Sequence, residues 1–248
     1  MSDLDKVTRW ILSINAMDDP FFRPNERALF DAAEALFAYG VDSLNHRMTS
    51  KSGDLLSHIV KQVHVDGFSA EQIFLSYWFP LAAGAFDTTA SVIAGGTAAL
   101  LSHPDQLRLI ESDRTLRAQA VDEMLRWVSP VVYFRRTALA DIEYEGNHIK
   151  AGQKIVLCYA SANRDEEVFT EPDRFEVGRQ PNNHLSFGYG PHYCLGARVA
   201  LLTLQSFLNA FLEQGMSIQL DGSMIRTRSN WMNRIRSMPV RNTRTIGF

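Results

Sequence analysis

Apolar residues recur at intervals of three and four positions along much of the chain, a spacing that predicts amphipathic helices. One such stretch opens after Pro24 and runs from Asn25 to about Met48. Its apolar face consists of Leu29, Ala32, Ala33, Leu36 and Phe37. Shorter helices are predicted over residues 54–65 and 116–127, and a further apolar helix over residues 195–212.

The longest pattern predicts a central helix over residues 70–102. Ser69 and Gln72 have the spacing of a capping box, which marks a helix start. The pair His103-Pro104 marks the end, because the residue before a proline disfavours helical geometry. At a rise of 1.5 Å per residue the helix is about 50 Å long, enough to cross a whole domain. Pro80 lies inside it and predicts a kink in the first third.

Short strands are predicted over residues 136–157. Ile142 and Tyr144 alternate with polar residues, residues 145–147 form a turn, and residues 149–157 resume the apolar pattern around Gly152. The chain is therefore predicted to be mainly α with a small β region, organised as a single domain over residues 1–248.

Composition restricts the class of protein. The 248 residues are 46% hydrophobic and 21% charged, with a formal net charge of -3, which is typical of a soluble chain with a sizeable core. No basic run is present in the sequence, so a nucleic-acid partner is not expected.

The cysteines and the apolar runs indicate a compartment. Cys158 and Cys194 are too few for a disulfide framework, which fits a reducing cytoplasm. The first residues have the pattern of neither a signal peptide nor a membrane anchor. The longest apolar stretch, residues 73–101, contains Pro80 and Asp87 and does not predict a membrane span. We therefore expect a cytoplasmic protein.

A glycine-rich segment just before the last helix carries the strongest chemical signal. Gly188 and Gly190 permit positive φ angles, so backbone N–H groups can point toward a sulfur atom. Cys194 precedes the predicted helix, whose N-terminus favours a thiolate over a thiol. Gly196 lets that helix approach a flat group closely. These features predict an anionic sulfur ligand at Cys194.

Two other interpretations of this cysteine compete. A lone cysteine is often a small buried apolar residue. A zinc site from His184, His192 and Cys194 is disfavoured, because the spacing lacks a paired ligand motif and an obvious fourth ligand.

A second group of residues lies inside the central helix. Gly84 and Ala85 are small enough for a flat ligand to approach, and they weaken the helix enough for a local distortion. Asp87 and Thr88 follow as an acid and an alcohol, a pair suited to proton transfer. The alternative is plain packing, with the threonine hydroxyl bonded to the preceding helical turn.

A third signal is the pair Glu123 and Arg126, which share one helix face at a spacing of three residues. Arg136 and Arg174 follow in the predicted strand region and beyond it. Solvated surface positions are expected instead for Arg135, Arg164 and Arg198.

Taken together, these motifs resemble the cytochrome P450 family of haem-thiolate monooxygenases, of the bacterial type. The resemblance implies that Cys194 ligates the iron of haem b (iron protoporphyrin IX), that Asp87 and Thr88 deliver protons, and that Glu123, Arg126 and Arg174 form a buried ion network. Further haem contacts are implied for Gly84, Ala85, Arg136, Phe187, Gly188, Gly190, His192, Leu195, Gly196 and Ala200. Two departures are Ala85, where the family commonly has glycine, and Pro80.

The resemblance covers nearly all of the chain but only the C-terminal portion of the family fold. It implies a partial cytochrome P450 fold that lacks its N-terminal portion, with a long central helix and a cysteine ligand loop. The implied reaction inserts one oxygen atom of O2 into a small hydrophobic substrate of lipid or steroid type, with electrons from a ferredoxin or a flavoprotein. Two alternatives remain: a haem-binding remnant without catalysis, and a fragment that binds no haem without the missing portion.

Overall fold

A computed structural model describes residues 2–16, 18–50, 53–62, 64–214 and 218–243. The chain divides into two compact units, residues 1–88 and residues 89–248, called the N-terminal and C-terminal units below. Both units place buried apolar side chains at their centres, and helices supply most of these side chains.

Four helices and one irregular segment form the described part of the N-terminal unit. They are α1 (Asp3–Asn15), α2 (Arg27–Thr49), α3 (Leu55–Gln62), α4 (Ala70–Ala83) and a π-helical segment (Gly84–Thr88). The capping box predicted at Ser69 and Gln72 is confirmed, and Ser2 and Asp5 form a second one that starts α1. Each box satisfies backbone donors that a helix start otherwise leaves without intrahelical partners.

Close packing of α2 against α4 organises the core of the N-terminal unit. A Cβ atom at Gly40 would lie 2.6 Å from Trp78 Cδ1, so only glycine allows the two helices to approach this closely. Trp78 Nε1 donates a hydrogen bond of 3.0 Å to the carbonyl of Leu36, which satisfies the indole in a buried place. The cluster consists of Val7, Ile11, Leu36, Leu44, Phe74, Trp78 and Ala82.

The predicted helix over residues 70–102 is observed as three consecutive segments, α4, the π segment and α5 (Thr89–Ser102). Pro80 lies within α4, whereas the change in hydrogen-bonding pattern begins at Gly84. The Gly84 N–H bonds to the carbonyls of both Leu81 and Pro80, which tightens the helix just before the wider π turn. The local distortion predicted around Gly84 and Ala85 is therefore confirmed.

In the C-terminal unit, α5 is followed by further helices. They are α6 (Pro104–Ser112), a 3-10 turn (Arg114–Leu116), α7 (Arg117–Val128), α8 (Tyr159–Ala162), a second 3-10 turn (Gly190–His192) and α9 (Ala197–Glu213). Helices α5, α7 and α9 pack around one core. A Cβ at Gly95 would lie 2.7 Å from Val128 Cγ2, so this glycine permits the close contact of α5 with α7.

The strands of the C-terminal unit form four antiparallel pairs among the described residues. The pairs are β1 (Tyr133–Thr137) with β4 (Lys154–Cys158), β2 (Ile142–Tyr144) with β3 (Asn147–Ile149), β5 (Ile218–Leu220) with β8 (Val240–Asn242), and β6 (Ile225–Arg226) with β7 (Ile235–Ser237). Glu145 and Gly146 have φ angles of 49° and 74°, which close the β2–β3 hairpin tightly.

The predicted class, mainly α with a small β region, is confirmed. Over the described ranges, no helix has the length and apolar character needed to cross a membrane.

Candidate functional site

The segment before α9 closes on itself through backbone hydrogen bonds. The Cys194 N–H donates to the Phe187 carbonyl at 2.9 Å, and the Gly188 N–H donates to the Leu185 carbonyl at 2.8 Å. Gly188 and Gly190 have φ angles of 71° and 69°, so the positive φ predicted at both is confirmed. These bonds and angles define a tight loop, residues 185–196, called the cysteine loop below.

Cys194 lies at the exposed end of the cysteine loop. It is a free thiol, and the first residue of α9 is Ala197, two residues later than the predicted helix start. Gly196 caps the helix, and a Cβ there would lie 4.0 Å from the Cys194 sulfur, which is an ordinary contact distance. The sulfur therefore lies within one turn of the positive end of α9.

Three apolar side chains that lie close to this thiol in the sequence are exposed. Leu195 is 82% exposed, Val199 70% and Tyr193 54%. Exposed apolar side chains close in sequence to a single sulfur donor suit a metal that brings most of its ligands in a flat apolar macrocycle. The residues present therefore fit haem.

The described residues do not support the zinc alternative. In this part of the chain, no group of three or more His, Cys, Asp or Glu side chains is placed to hold a metal ion. His184 accepts a hydrogen bond from the Ser186 N–H and lies 3.8 Å from Asp122, whereas His192 is exposed.

Asn163, which is fully buried, anchors the cysteine loop to α7 and was missed by sequence analysis. Its Oδ1 accepts the Leu185 N–H at 2.7 Å, and its Nδ2 donates to the hydroxyls of Ser129 and Ser186 at 2.8 and 2.9 Å. Ser186 in turn donates to the Leu125 carbonyl at 2.7 Å. An asparagine that satisfies three neighbours has no signature in local sequence pattern, because its partners come from separate segments.

A buried ion pair lies next to this anchor. Glu123 and Arg126 are both 0% exposed and share two hydrogen bonds of 2.8 Å. Arg126 also donates to the carbonyls of Asn163, Pro172 and Arg174 at 2.8, 2.8 and 3.1 Å. The arginine therefore ties α7 to two loop segments of the C-terminal unit.

The third member of the network is Arg179, so the prediction of Arg174 is wrong. The Arg174 guanidinium is exposed and bonds to Glu171 at 3.0 Å, and only the Arg174 carbonyl faces the network. Phe175, 1% exposed, takes the inward position next to it. Arg179 places Nε 3.3 Å from a Glu123 carboxylate oxygen, and its side chain is 5% exposed.

Arg164 also departs from the expected surface position. Its guanidinium stacks 4.5 Å from the centre of the Trp127 ring and donates to the Trp127 carbonyl at 2.9 Å. Burial, and then the nearby charge of Arg126, lower the pKa of Arg164 from its ordinary value. Arg135 and Arg198 are exposed, as expected.

The remaining predicted haem contacts of the C-terminal unit fall in three places. Arg136 lies on β1 opposite Ile155 and donates to the Arg135 carbonyl at 3.1 Å. Ala200 lies in the first turn of α9, where its N–H bonds to the Gly196 carbonyl at 2.9 Å. The cysteine loop brings together Phe187, Gly188, Gly190, His192, Leu195 and Gly196.

The other predicted site residues lie in the π segment of the N-terminal unit. Thr88 Oγ1 donates to the Gly84 carbonyl at 2.6 Å, which supplies a partner for a backbone group in the distorted turn. Asp87 is 1% exposed, and its carboxylate accepts a hydrogen bond of 3.0 Å from Asn15 Nδ2. Gly84 and Ala85 are exposed, with no side chain within 4 Å of a Cβ built at Gly84.

Comparison with known proteins gives a consistent result. The family model described as Cytochrome P450 matches residues 6–235. Cytochrome P450-terp of Pseudomonas sp is 38% identical over 80% of this chain and 46% of its own length. The steroid C26-monooxygenase of Mycolicibacterium smegmatis is 34% identical over 96% of this chain and 55% of its own length.

Solved structures are similar over almost the whole chain. Mycobacterium marinum cytochrome P450 CYP268A2, in complex with pseudoionone, has a TM-score of 0.89 and 34% identity over 96% of this chain and 58% of that protein. P450BioI, in complex with hexadec-9Z-enoic acid ligated to acyl carrier protein, has a TM-score of 0.86 and 30% identity over 97% of this chain and 62% of that protein. The chain spans about half the length of the curated relatives it matches.

Proposed function

The chain belongs to the cytochrome P450 family, and on that premise we propose that it is the haem-binding part of a monooxygenase. Members of the family bind haem b through a cysteine thiolate, and the predicted partial cytochrome P450 fold agrees with the structural matches. The observation that carries the proposal is Cys194, an exposed free thiol held by a closed loop, with exposed apolar residues close to it in the sequence.

In this proposal Cys194 binds the haem iron, and the rest of the cysteine loop holds the thiolate in place. Haem held in this way would supply the activation of dioxygen, in which one oxygen atom enters a C–H bond of the substrate and the other leaves as water, with two electrons from the donor and two protons. Leu195, Val199 and Tyr193 present exposed apolar surface close to Cys194 in the sequence, and whatever part of it bound haem covered would favour binding. His192 and Arg136 are the cations proposed to bind the two propionates.

Asp87 and Thr88 are the residues proposed to move protons. The Asp87 carboxyl is a proton donor and acceptor. The Thr88 hydroxyl donates to the Gly84 carbonyl in the structure, and rotation about its C–O bond lets it donate to a second acceptor instead. The π turn supports this role, because single π turns inside α-helices occur frequently at functional sites.

Glu123, Arg126, Arg179 and Asn163 do not take part in the proposed chemistry. Their role is to hold the cysteine loop against α7, so that the sulfur keeps its position when electrons and substrate arrive.

The proposed substrate is a small hydrophobic molecule of lipid or steroid type. Support comes from the names of relatives, which include steroid C26-monooxygenases, and from a structural match that holds a hexadecenoic acid. We further propose a ferredoxin or a flavoprotein as electron donor, a single functional domain and a cytoplasmic location. The low cysteine count of the sequence fits that location.

The test is to add haem to the purified chain and to record the spectrum of the reduced, carbon monoxide-bound form. A red-shifted thiolate band supports the haem site, and product formation with an electron donor supports the monooxygenase. Haem binding without product favours the non-catalytic remnant. Absence of haem uptake by the folded chain contradicts the proposal for this chain.

A further inference from the structure

The last residue of α1 makes a buried hydrogen bond to the acid of the π segment. Asn15 Nδ2 donates to an Asp87 carboxylate oxygen at 3.0 Å, and the two residues are 2% and 1% exposed. They belong to the same compact unit and are 72 positions apart in sequence. The contact therefore depends on the packing of α1 against the π segment.

Apolar side chains hold both ends of this contact. Trp10 and Ile14, on the last turns of α1, pack against the same cluster as Phe86, the residue next to Asp87. A carboxylate in such surroundings needs hydrogen-bond donors, and the Asn15 amide is a donor that favours this rotamer of Asp87. The orientation of the acid thus depends on a residue outside the helix that carries it.

The chemistry of the amide is matched to a group that changes its protonation state. A lysine or arginine at position 15 would favour the carboxylate alone, because a cation stabilises only the anion. An asparagine donates through Nδ2 to the carboxylate, and after rotation it accepts through Oδ1 from the protonated acid. Asn15 therefore satisfies Asp87 before and after a proton is transferred.

We infer that Asn15 is a positioning residue that orients the carboxyl group of Asp87 in both of its protonation states. The inference rests on the proposed function, in which Asp87 carries protons. It adds a residue of α1 to a proton path that the sequence places entirely within the central helix.

The first test requires neither haem nor turnover. In protein with 13C-labelled aspartate carboxyls, the infrared difference between the parent and Asp87→Asn isolates the band of Asp87. We expect this band to shift in Asn15→Leu, which removes the amide but retains volume, and to keep its position in Asn45→Ala, which alters an exposed asparagine of the same unit. An unmoved band in folded Asn15→Leu overturns the inference.

Asn15→Ser provides a second variant, because serine is shorter and removes the contact without placing an apolar group beside a carboxylate. If neither variant folds, the side-chain amide resonance of Asn15 is compared in the parent and in Asp87→Asn. A shift of that resonance supports the contact, and an identical resonance overturns it.

The second test uses the haem-loaded chain with an electron donor. Asn15→Leu should lower the rate of product formation by up to about a hundredfold, as expected for a displaced catalytic group, and should cause no additional loss in an Asp87→Asn background. Additive losses overturn the inference, because a general structural defect would add to the loss of the acid. Absence of turnover in the parent counts against the proposed function alone, since the infrared result does not depend on it.

Discussion

Arg126 and Glu123 form a two-bond ion pair, with both bonds 2.8 Å long, at a place where neither side chain is exposed. A buried pair of this kind is not by itself strong evidence for stability, because removing two charges from water costs about as much as their attraction returns. Its importance lies in the consequence of losing one partner. The remaining charge would then be buried without compensation.

Glu123→Ala should therefore destabilise the C-terminal unit by about 3 to 5 kcal/mol, the usual cost of a stranded buried charge. The measurement is the free energy of unfolding in urea. Glu171→Ala is the matched control, because Glu171 pairs with Arg174 at the surface, where both side chains are more than half exposed, and such pairs contribute about 1 kcal/mol or less. Equal stability of the two variants would contradict the buried network.

Replacing Arg174 and Arg179 one at a time tests a separate prediction. Arg179→Ala should cost about 3 kcal/mol or more, because it removes a guanidinium that contacts Glu123 in a buried place. Arg174→Ala should cost about 1 kcal/mol or less, because its side chain is exposed and its carbonyl is retained. Urea unfolding of both variants decides which arginine belongs to the network. A larger loss at Arg174 would reverse the assignment.

The choice between Arg174 and Arg179 could not be predicted from the sequence. Arg174 and Arg179 are both plausible partners of Glu123 by order along the chain, and the choice depends on which side chain the backbone turns inward after Glu171, where φ is 48°. Asn163 and Asn15 were missed for the same reason, since their partners lie 22 to 72 positions away. Local pattern carries no information about such tertiary contacts.

Elements with strong local signals were predictable. The cap at Ser69, the glycine φ angles of the cysteine loop and the β2–β3 turn each depend on a few neighbouring residues. Three helices, α1, α6 and the four-residue α8, were nevertheless not predicted. The pair His103-Pro104 predicts only the end of a helix, although proline also favours the first helical position, where α6 begins. The capping box of Ser2 and Asp5, which starts α1, is likewise a local signal visible in the sequence.

The loop anchor at Asn163 leads to a prediction about haem retention. Asn163→Ala removes three buried hydrogen bonds and leaves the Leu185 N–H and the Ser186 hydroxyl with fewer partners, at a cost of about 1 to 3 kcal/mol. We expect faster haem loss from this variant, measured by transfer of haem to apomyoglobin. Asn147→Ala, at an exposed turn asparagine, serves as control and should retain haem like the parent. Equal haem loss from both variants would show that the Asn163 hydrogen bonds do not affect how firmly the cysteine loop holds haem.

The iron ligand is tested by the two cysteines. Cys194→Ser should abolish the red-shifted carbon monoxide band of the reduced haem protein, because a serine oxygen does not replace a thiolate donor. Cys158→Ser should leave the band intact, since Cys158 lies on β4, outside the cysteine loop, and is equally a free exposed thiol. If both variants keep the band, Cys194 is not the ligand.

Substitutions of Thr88 and Asp87 should impair proton delivery in different ways. Thr88→Ala removes the hydroxyl that donates to the Gly84 carbonyl, but alanine is a good helix former, so folding and the thiolate spectrum should survive. Electron consumption should continue while product falls and hydrogen peroxide rises, because protons then reach reduced oxygen without the control of the hydroxyl. Thr89→Ala, one position further along, is the matched control and should leave the ratio of product to electrons unchanged.

Asp87→Asn should have a different effect, since it removes the carboxyl group itself and leaves an amide in the same space beside Asn15. The proton-dependent rate should fall by about a hundredfold or more, the usual contribution of a positioned acid, without a matching rise in peroxide. The measurement is product formed per electron pair, together with the rate, in both variants and the parent. Unchanged coupling in Thr88→Ala and an unchanged rate in Asp87→Asn would leave the π segment with a packing role alone, because neither side chain would then contribute to proton transfer.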